Sequence, residues 1–295
     1  MSGARGGADG SAGAATPVLD DVESRPGSAT SLLRTIVGAY LRPIGGAIAA
    51  ADLVALLGDV GVPPSSARGT ISRVKARGLL VSATVGGRPG YRLAPGAVAM
   101  LERGDRRIFS YRPQGESDPW CLVSYSVPET QRDARHQLRR HLAGIGCGRV
   151  ATGLWICPAH LAGEVEQILH VLGLRDAATV FVTGTPRTPG TFADAAARWW
   201  DLGAVADLHH EFLRKHAPAP DDEGRASAPP SPREAYARWT RVLDDWRPVP
   251  YLDPGLPPTA LPRDWPGRRA VETFERLRAA LAGPAQAHAA AVARL

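Results

Sequence analysis

The feature that most constrains this chain is its punctuation between residues 63 and 93. Pro63-Pro64 presets the backbone of a first helical turn, and Gly78 stands where a helix closes in the left-handed region that favours glycine. A helix therefore fits residues 64–77. Beyond it, residues 79–85 and 89–93 read as short strands, and Gly86-Gly87 between them is the two-residue turn a hairpin needs. Upstream, a helix over residues 31–41 (SLLRTIVGAYL) runs into Pro43 and Gly45-Gly46, and a second over 50–60 closes at Gly61. A further short helix fits 95–103. Helix, helix, turn, helix and hairpin is the order of a winged helix-turn-helix.

Charge falls on the same segment. The 295 residues carry 35 Lys and Arg against 29 Asp and Glu, a net +6. Residues 1–24 sum to −3, residues 25–112 to +9 and residues 113–295 to zero. All the excess positive charge lies in one stretch, the footprint of a module that binds a polyanion. Arg outnumbers Lys throughout, which codon bias in a GC-rich genome produces without reference to function. Codon bias does not decide where the charges fall.

The remainder divides by pattern. Residues 1–28, rich in Gly, Ala and Ser, are expected to form a disordered tail without the apolar run of a signal peptide, and no stretch is long and apolar enough to span a bilayer. A cytoplasmic protein is expected. After a linker at 104–119, WCLVSYSV (120–127) reads as a buried strand, and 130–142 as a helix opened by a Thr130/Asp133 capping box. One or two strands follow at 148–156, then a helix at 161–172 and a strand at 179–183. That order suggests a ferredoxin-like sandwich. Residues beyond 190 are helical, with a linker at 217–232. The expected class is α+β: a winged helix-turn-helix at 29–112, a ferredoxin-like dimerisation domain at 118–188 and a C-terminal helical domain at 190–295. Cys121, Cys147 and Cys157 show no CxxC spacing, so buried thiols are expected rather than a disulfide or zinc site. No cofactor is expected.

On the third helix, Ala67, Ile71 and Val74 share one face. Steps of 100° put Gly69, Ser72, Arg73 and Ala76 opposite, and three of those four are small. Ser66, Thr70 and Arg77 flank it on one side, Arg68 and Lys75 on the other. Such a helix can enter a major groove closely, with Ser72 and Arg73 at base edges and the flanks at phosphates. Arg88 and Arg92 on the hairpin would reach phosphate or the minor groove. His209, His210 and His216 diverge too far around one helix to share a metal, and Asp244-Asp245 reads as a solvated helix face. Five of the seven tryptophans fall after residue 190, and aromatic walls suit an acyl or aryl ligand. Trp200, with Arg198, Arg233 and Arg238 as phosphate partners, is the candidate effector set.

These residues also carry a resemblance. ARGTISRVKARGLL (67–80), GGRPGYRL (86–93), the block at 120–158, RWWDL (198–202) and YLDPGLPPTALPRDWPGRRA (251–270) resemble the PaaX family of bacterial transcriptional repressors, over nearly the whole length from residue 30. The resemblance implies the three-part layout above. It also implies a homodimer on an inverted-repeat double-stranded DNA operator, released by an acyl-CoA thioester such as phenylacetyl-CoA. The middle segment also resembles the ferredoxin-like nucleases of CRISPR adaptation, which place an Asp near the end of the first strand. Here Ser126 stands at that point, a poor magnesium ligand. A repressor without enzymatic activity is therefore expected. A metal-dependent nuclease and a sequence-indifferent architectural DNA binder are the alternatives.

Overall fold

The computed structural model describes residues 24–111, 113–218 and 229–293. It is a mixed α+β chain with two small sheets. The expected tail lies outside the described residues except at 24–28. There Ser28 caps α1 (Ala29–Ile36) by accepting from Ser31 N, and a wider helical turn continues over Val37–Leu41. Gly45 and Gly46, both at positive φ, end it.

The first sheet has the order β1-β3-β2. Its hairpin, β2 (Leu80–Val85) and β3 (Arg88–Leu93), turns on Gly86 and Gly87, both left-handed, with Leu80 opposite Leu93 and Val85 opposite Arg88. β1 (Ala47–Ala49) adds an edge beyond the elements expected from the sequence. Three residues, Ala-Ile-Ala, between a glycine pair and a helix leave no strand-length pattern to detect. Its approach depends on Gly90, where a Cβ would collide with the Ile48 carbonyl. α2 (Ala50–Asp59), α3 (Pro64–Ala76) and α4 (Pro95–Phe109) complete this part.

The second sheet follows a β-α-β-β-α-β path: β4 (Trp120–Tyr125), α5 (Arg132–Gly144), β5 (Gly148–Ala151), β6 (Leu154–Pro158), α6 (Ala162–Val171) and β7 (Ala178–Thr183). The strands are antiparallel in the order β5-β6-β4-β7, so β5 and β7 are edges. The alternation of β4 divides its side chains between two cores. Cys121 and Val123 meet Leu138, Leu142, Val165 and Leu169 of the helices. Trp120 meets Ile156, Ala196 and Trp200 on the other face. The expected capping box at Thr130 does not form. A tight turn at Glu129–Gln131 precedes α5, which has no side-chain cap. Reciprocal capping boxes occur instead at Thr191/Asp194 and Ser231/Glu234, opening α7 (Phe192–Trp199) and α9 (Pro232–Trp246). All three cysteines are buried and free. The neighbouring Cys157 and burial push the Cys121 thiol well above the usual range.

The last helices do not form a core of their own. α8 (Leu202–His216), α9 and α11 (Gly267–Val292) join α1–α4 in one continuous cluster containing Leu33, Leu56, Phe212, Trp246 and Phe274. The Tyr40 and Tyr236 rings meet at 5.0 Å, and Tyr236 donates to the Leu56 carbonyl. α10 (Val249–Leu252) leads into the loop that precedes α11. No helix among the described residues is long and apolar enough to cross a membrane.

Candidate nucleic-acid interface

α3 packs on α1, α2 and β2 through Ala67, Ile71 and Val74, all buried as their spacing requires. Ser66, Arg68, Gly69, Ser72, Arg73, Lys75, Ala76 and Arg77 are exposed, so the structure gathers most of the expected set on one outward face. Thr70 departs from it. It is fully buried, and its hydroxyl donates to the Ser66 carbonyl one turn earlier at 2.8 Å. Threonine in a helix readily makes this bond. The same oxygen accepts from Arg73 Nη2 at 2.9 Å, and a Cβ at Gly69 would lie 3.5 Å from Arg73 Nη1. Thr70 therefore positions Arg73 instead of offering its own hydroxyl to a ligand. Arg73 lies back along the helix over the space Gly69 leaves open.

The flanking cations differ in freedom. Lys75 Nζ donates to Ser82 Oγ at 3.3 Å, linking α3 to the hairpin. Arg92 is exposed on β3. Arg88, beside the Gly86-Gly87 turn, is paired: its guanidinium grips Asp52 of α2 with two hydrogen bonds of 3.2 and 2.8 Å. Its charge is largely answered within the molecule. A half-exposed pair of this kind is worth about 0–1 kcal/mol, so the tie is weak enough to exchange for a phosphate.

The expected effector residues are not brought together. Trp200 is 6% exposed, donates from Nε1 to the Gly146 carbonyl at 2.8 Å, and covers Gly148 so closely that a Cβ there would clash. It fastens α7 to the second sheet beside Trp120. Arg198 and Arg238 are exposed elsewhere, and Arg233 reaches Asp59 of α2 at 2.7 Å. A cavity of about 530 Å³ lies apart from all four, where α4, α6 and residues 250–254 meet. Its walls include Arg103, Arg106, Arg107 and Gln167. In the sequence those three arginines stand only within a basic helix end and linker. Their i, i+3, i+4 spacing is the one signal that could have put them on a common face.

Three family models match this chain in consecutive blocks. "PaaX-like protein" covers residues 28–97, "PaaX protein central Cas2-like domain" covers 114–194 and "PaaX-like protein C-terminal domain" covers 200–291. The chain belongs to the PaaX family. Among its relatives is the transcriptional repressor PaaX of Escherichia coli (strain K12), 25% identical over 251 residues, covering 84% of this chain and 79% of the relative. An uncharacterized protein of Mycobacterium tuberculosis, Rv0674, has a similar solved fold. It has a TM-score of 0.53 and 23% identity, covering 88% of this chain and 99% of the other. The PaaX blocks fall on structural seams. The first holds α1–α3 and the hairpin, the second spans the four-stranded sheet, and the third holds α8 to α11.

Proposed function

We propose that the chain is a homodimeric, sequence-specific DNA-binding transcriptional repressor that acts without enzymatic activity. The observation that carries this is the exposed face of α3. A buried stripe fixes the helix on its domain, while Ser72 is exposed and Arg73 lies over the Gly69 gap between cationic flanks. The element order of this part, with β1 closing the hairpin into three strands, supports a winged helix-turn-helix. The helix supplies base readout, and Arg68, Lys75, Arg77 and Arg92 neutralise phosphates, so affinity falls steeply with salt.

The strand order β5-β6-β4-β7 supports a ferredoxin-like centre. Its edge strand β7 exposes Phe181 at 52% and Val182 at 63%, one on each face of the sheet, an apolar edge suited to a second copy of the chain. Such a dimer sets half-site spacing at about one helical turn or a multiple. The family resemblance supports release by an acyl-CoA thioester, whose binding must favour an arrangement that misplaces the two reading helices.

The test is fluorescence anisotropy on the protein's own upstream region against random DNA, at about 150 mM salt, with and without phenylacetyl-CoA. A large specific ratio abolished by the thioester is expected. Equal affinity for the two DNAs would sink the reading in favour of an architectural binder, and magnesium-dependent cleavage would favour a nuclease.

A further inference from the structure

The cavity of about 530 Å³ is of the size that holds small-molecule ligands. It is a junction: the last turns of α4, the first turns of α6 and the loop after α10 each supply a wall. Arg103, Arg106 and Arg107 line it from one side of α4. The acids in its wall are already engaged. Asp253 is 2% exposed and takes three donors, from Tyr111 Oη at 2.8 Å, from His209 Nε2 at 2.7 Å and from Gly255 N at 2.8 Å. Glu164 faces Arg107 Nε at 3.3 Å. Arg103 and Arg106 have no hydrogen-bond or ion-pair partner among the described residues. The cavity therefore carries a surplus of guanidinium charge.

Arg107 is the unusual member. It is about nine-tenths buried, yet its Nε makes no directed hydrogen bond and has only the long approach to Glu164. Its Nη2 donates to the Ile145 carbonyl at 2.8 Å, and its guanidinium stands 5.2 Å from the Tyr251 ring centre. One side chain of α4 thus touches the central sheet unit and α10 together. Opposite, α6 presents its first turns at Gly163, where a Cβ would meet nothing within 4 Å, so the positive end of the helix is open to the cavity.

We propose that this cavity binds a phosphate-bearing small molecule, with Arg103 and Arg106 clasping phosphate oxygens and Arg107 exchanging Glu164 for the ligand. Guanidinium forks match phosphate in geometry and charge, and several on one face match a group with many acceptor oxygens. Pro250 and Tyr111 supply an apolar wall for the rest of the ligand. Because Arg107 ties α4 to α6, and α4 shares a core with α3, occupancy changes how the reading helix is held against the central sheet. That consequence rests on the repressor reading, whereas occupancy of the cavity does not.

The test is calorimetric titration of the full chain with adenosine diphosphate, coenzyme A and phenylacetyl-CoA, on the native protein, R103A/R106A and R198A. Arg103 is half-buried and Arg106 exposed, and neither holds an internal hydrogen bond or ion pair among the described residues. The double variant therefore keeps its fold, which its melting temperature checks. It is expected to bind at least about tenfold more weakly, since each lost charge-assisted bond is worth more than about 1 kcal/mol, while R198A binds as native. Binding of adenosine diphosphate alongside coenzyme A assigns recognition to the phosphates of any nucleotide, and binding of the CoA compounds alone assigns it to a larger ligand. Equal binding by native and double variant, or no binding of any probe, overturns the proposal. Anisotropy of ligand-free protein on the upstream DNA is measured alongside. Loss of specificity there, with the titration intact, would remove the repressor reading and leave the site.

Discussion

Asp244, 1% exposed, gathers donors from the first described helix and the segment before it. Its Oδ1 accepts from Ser31 Oγ at 2.6 Å and Thr35 Oγ1 at 2.9 Å, and its Oδ2 from Gly27 N at 2.6 Å. Arg247, itself buried, lies 3.7 Å from it and donates to Ser31 Oγ. Asp244→Ala strips several buried donors of their acceptor and removes the carboxylate beside the buried Arg247, a loss of about 3–5 kcal/mol. Urea denaturation is expected to show a much lower midpoint with an unchanged slope, and a shift under about 1 kcal/mol would refute the network's role. In the sequence, Asp244-Asp245 reads as a solvated face because neighbouring acids on a helix usually are one. The three donors to Asp244 lie over 200 positions away, and no local pattern announces them. Asp245 does lie nearer the surface. Burial tends to raise its pKa, but hydrogen bonds from His216 and Lys215 outweigh this and hold it below the usual carboxylate range. A depressed folded pKa adds stability that is complete above the unfolded value, about 4, and drains as pH falls through the folded one. Native protein should therefore lose urea resistance between about pH 5 and 3 more steeply than Asp245→Asn. Parallel curves for the two would refute this assignment.

Among elements, α3 and the hairpin were the most legible. Pro63-Pro64, Gly78 and Gly86-Gly87 act on their own backbone, so their effect survives any packing, and apolar spacing alone chose the buried face of α3. What polarity concealed was Thr70. It lies only about 40° from Val74 around the helix, and its hydroxyl satisfies itself on the Ser66 carbonyl, so burial costs it little. The arrangement makes two cations of the same helix behave differently. Arg73 is held by Thr70 over Gly69, where it can meet a base edge in one geometry. Arg68 has no such restraint among the described residues, and the proposed reading gives it a phosphate. Arg73→Ala should therefore lower operator affinity while leaving random-DNA affinity nearly intact, a loss of about 1–3 kcal/mol in discrimination. Arg68→Ala should weaken both DNAs alike and reduce the salt slope by about one. Anisotropy across a salt series reads both quantities, and equal losses on the two DNAs for both variants would refute the division of roles.

Across the whole molecule, the boundaries visible in the sequence are not all boundaries of packing. The expected linker at 104–119 is still helix as far as Phe109, so the first break follows α4; that break and the change from strand to helix near 190 mark changes of pattern, and the PaaX blocks follow them. Yet the first and last blocks share one core. Phe212, Trp239, Trp246 and Phe274 pack with Leu33, Ile36 and Leu56, while Tyr40 Oη lies 3.1 Å from Thr240 Oγ1 and Trp246 Nε1 donates to the Ile108 carbonyl. Residues so far apart in the chain cannot show this through periodicity, because an amphipathic stripe states that a face is buried and not what buries it. The central unit, by contrast, encloses a cluster of its own around Cys121, Val123 and Leu169. The consequence concerns the part that carries α3. Each large side chain it buries against α8, α9 and α11 is worth about 1.5–3 kcal/mol, against a net stability of only about 5–15 kcal/mol for a domain. A fragment of residues 24–111 alone exposes that face and loses Asp244, the acceptor for the start of α1. It is expected to show no cooperative thermal transition and to bind a hydrophobic dye, whereas the full chain melts cooperatively in this region. A sharp transition in the fragment, with operator affinity equal to the full chain's, would show that the C-terminal helices only lean on the reading unit. Its absence would make them part of the scaffold that sets α3, and so a route by which events far from the DNA reach the helix that reads it.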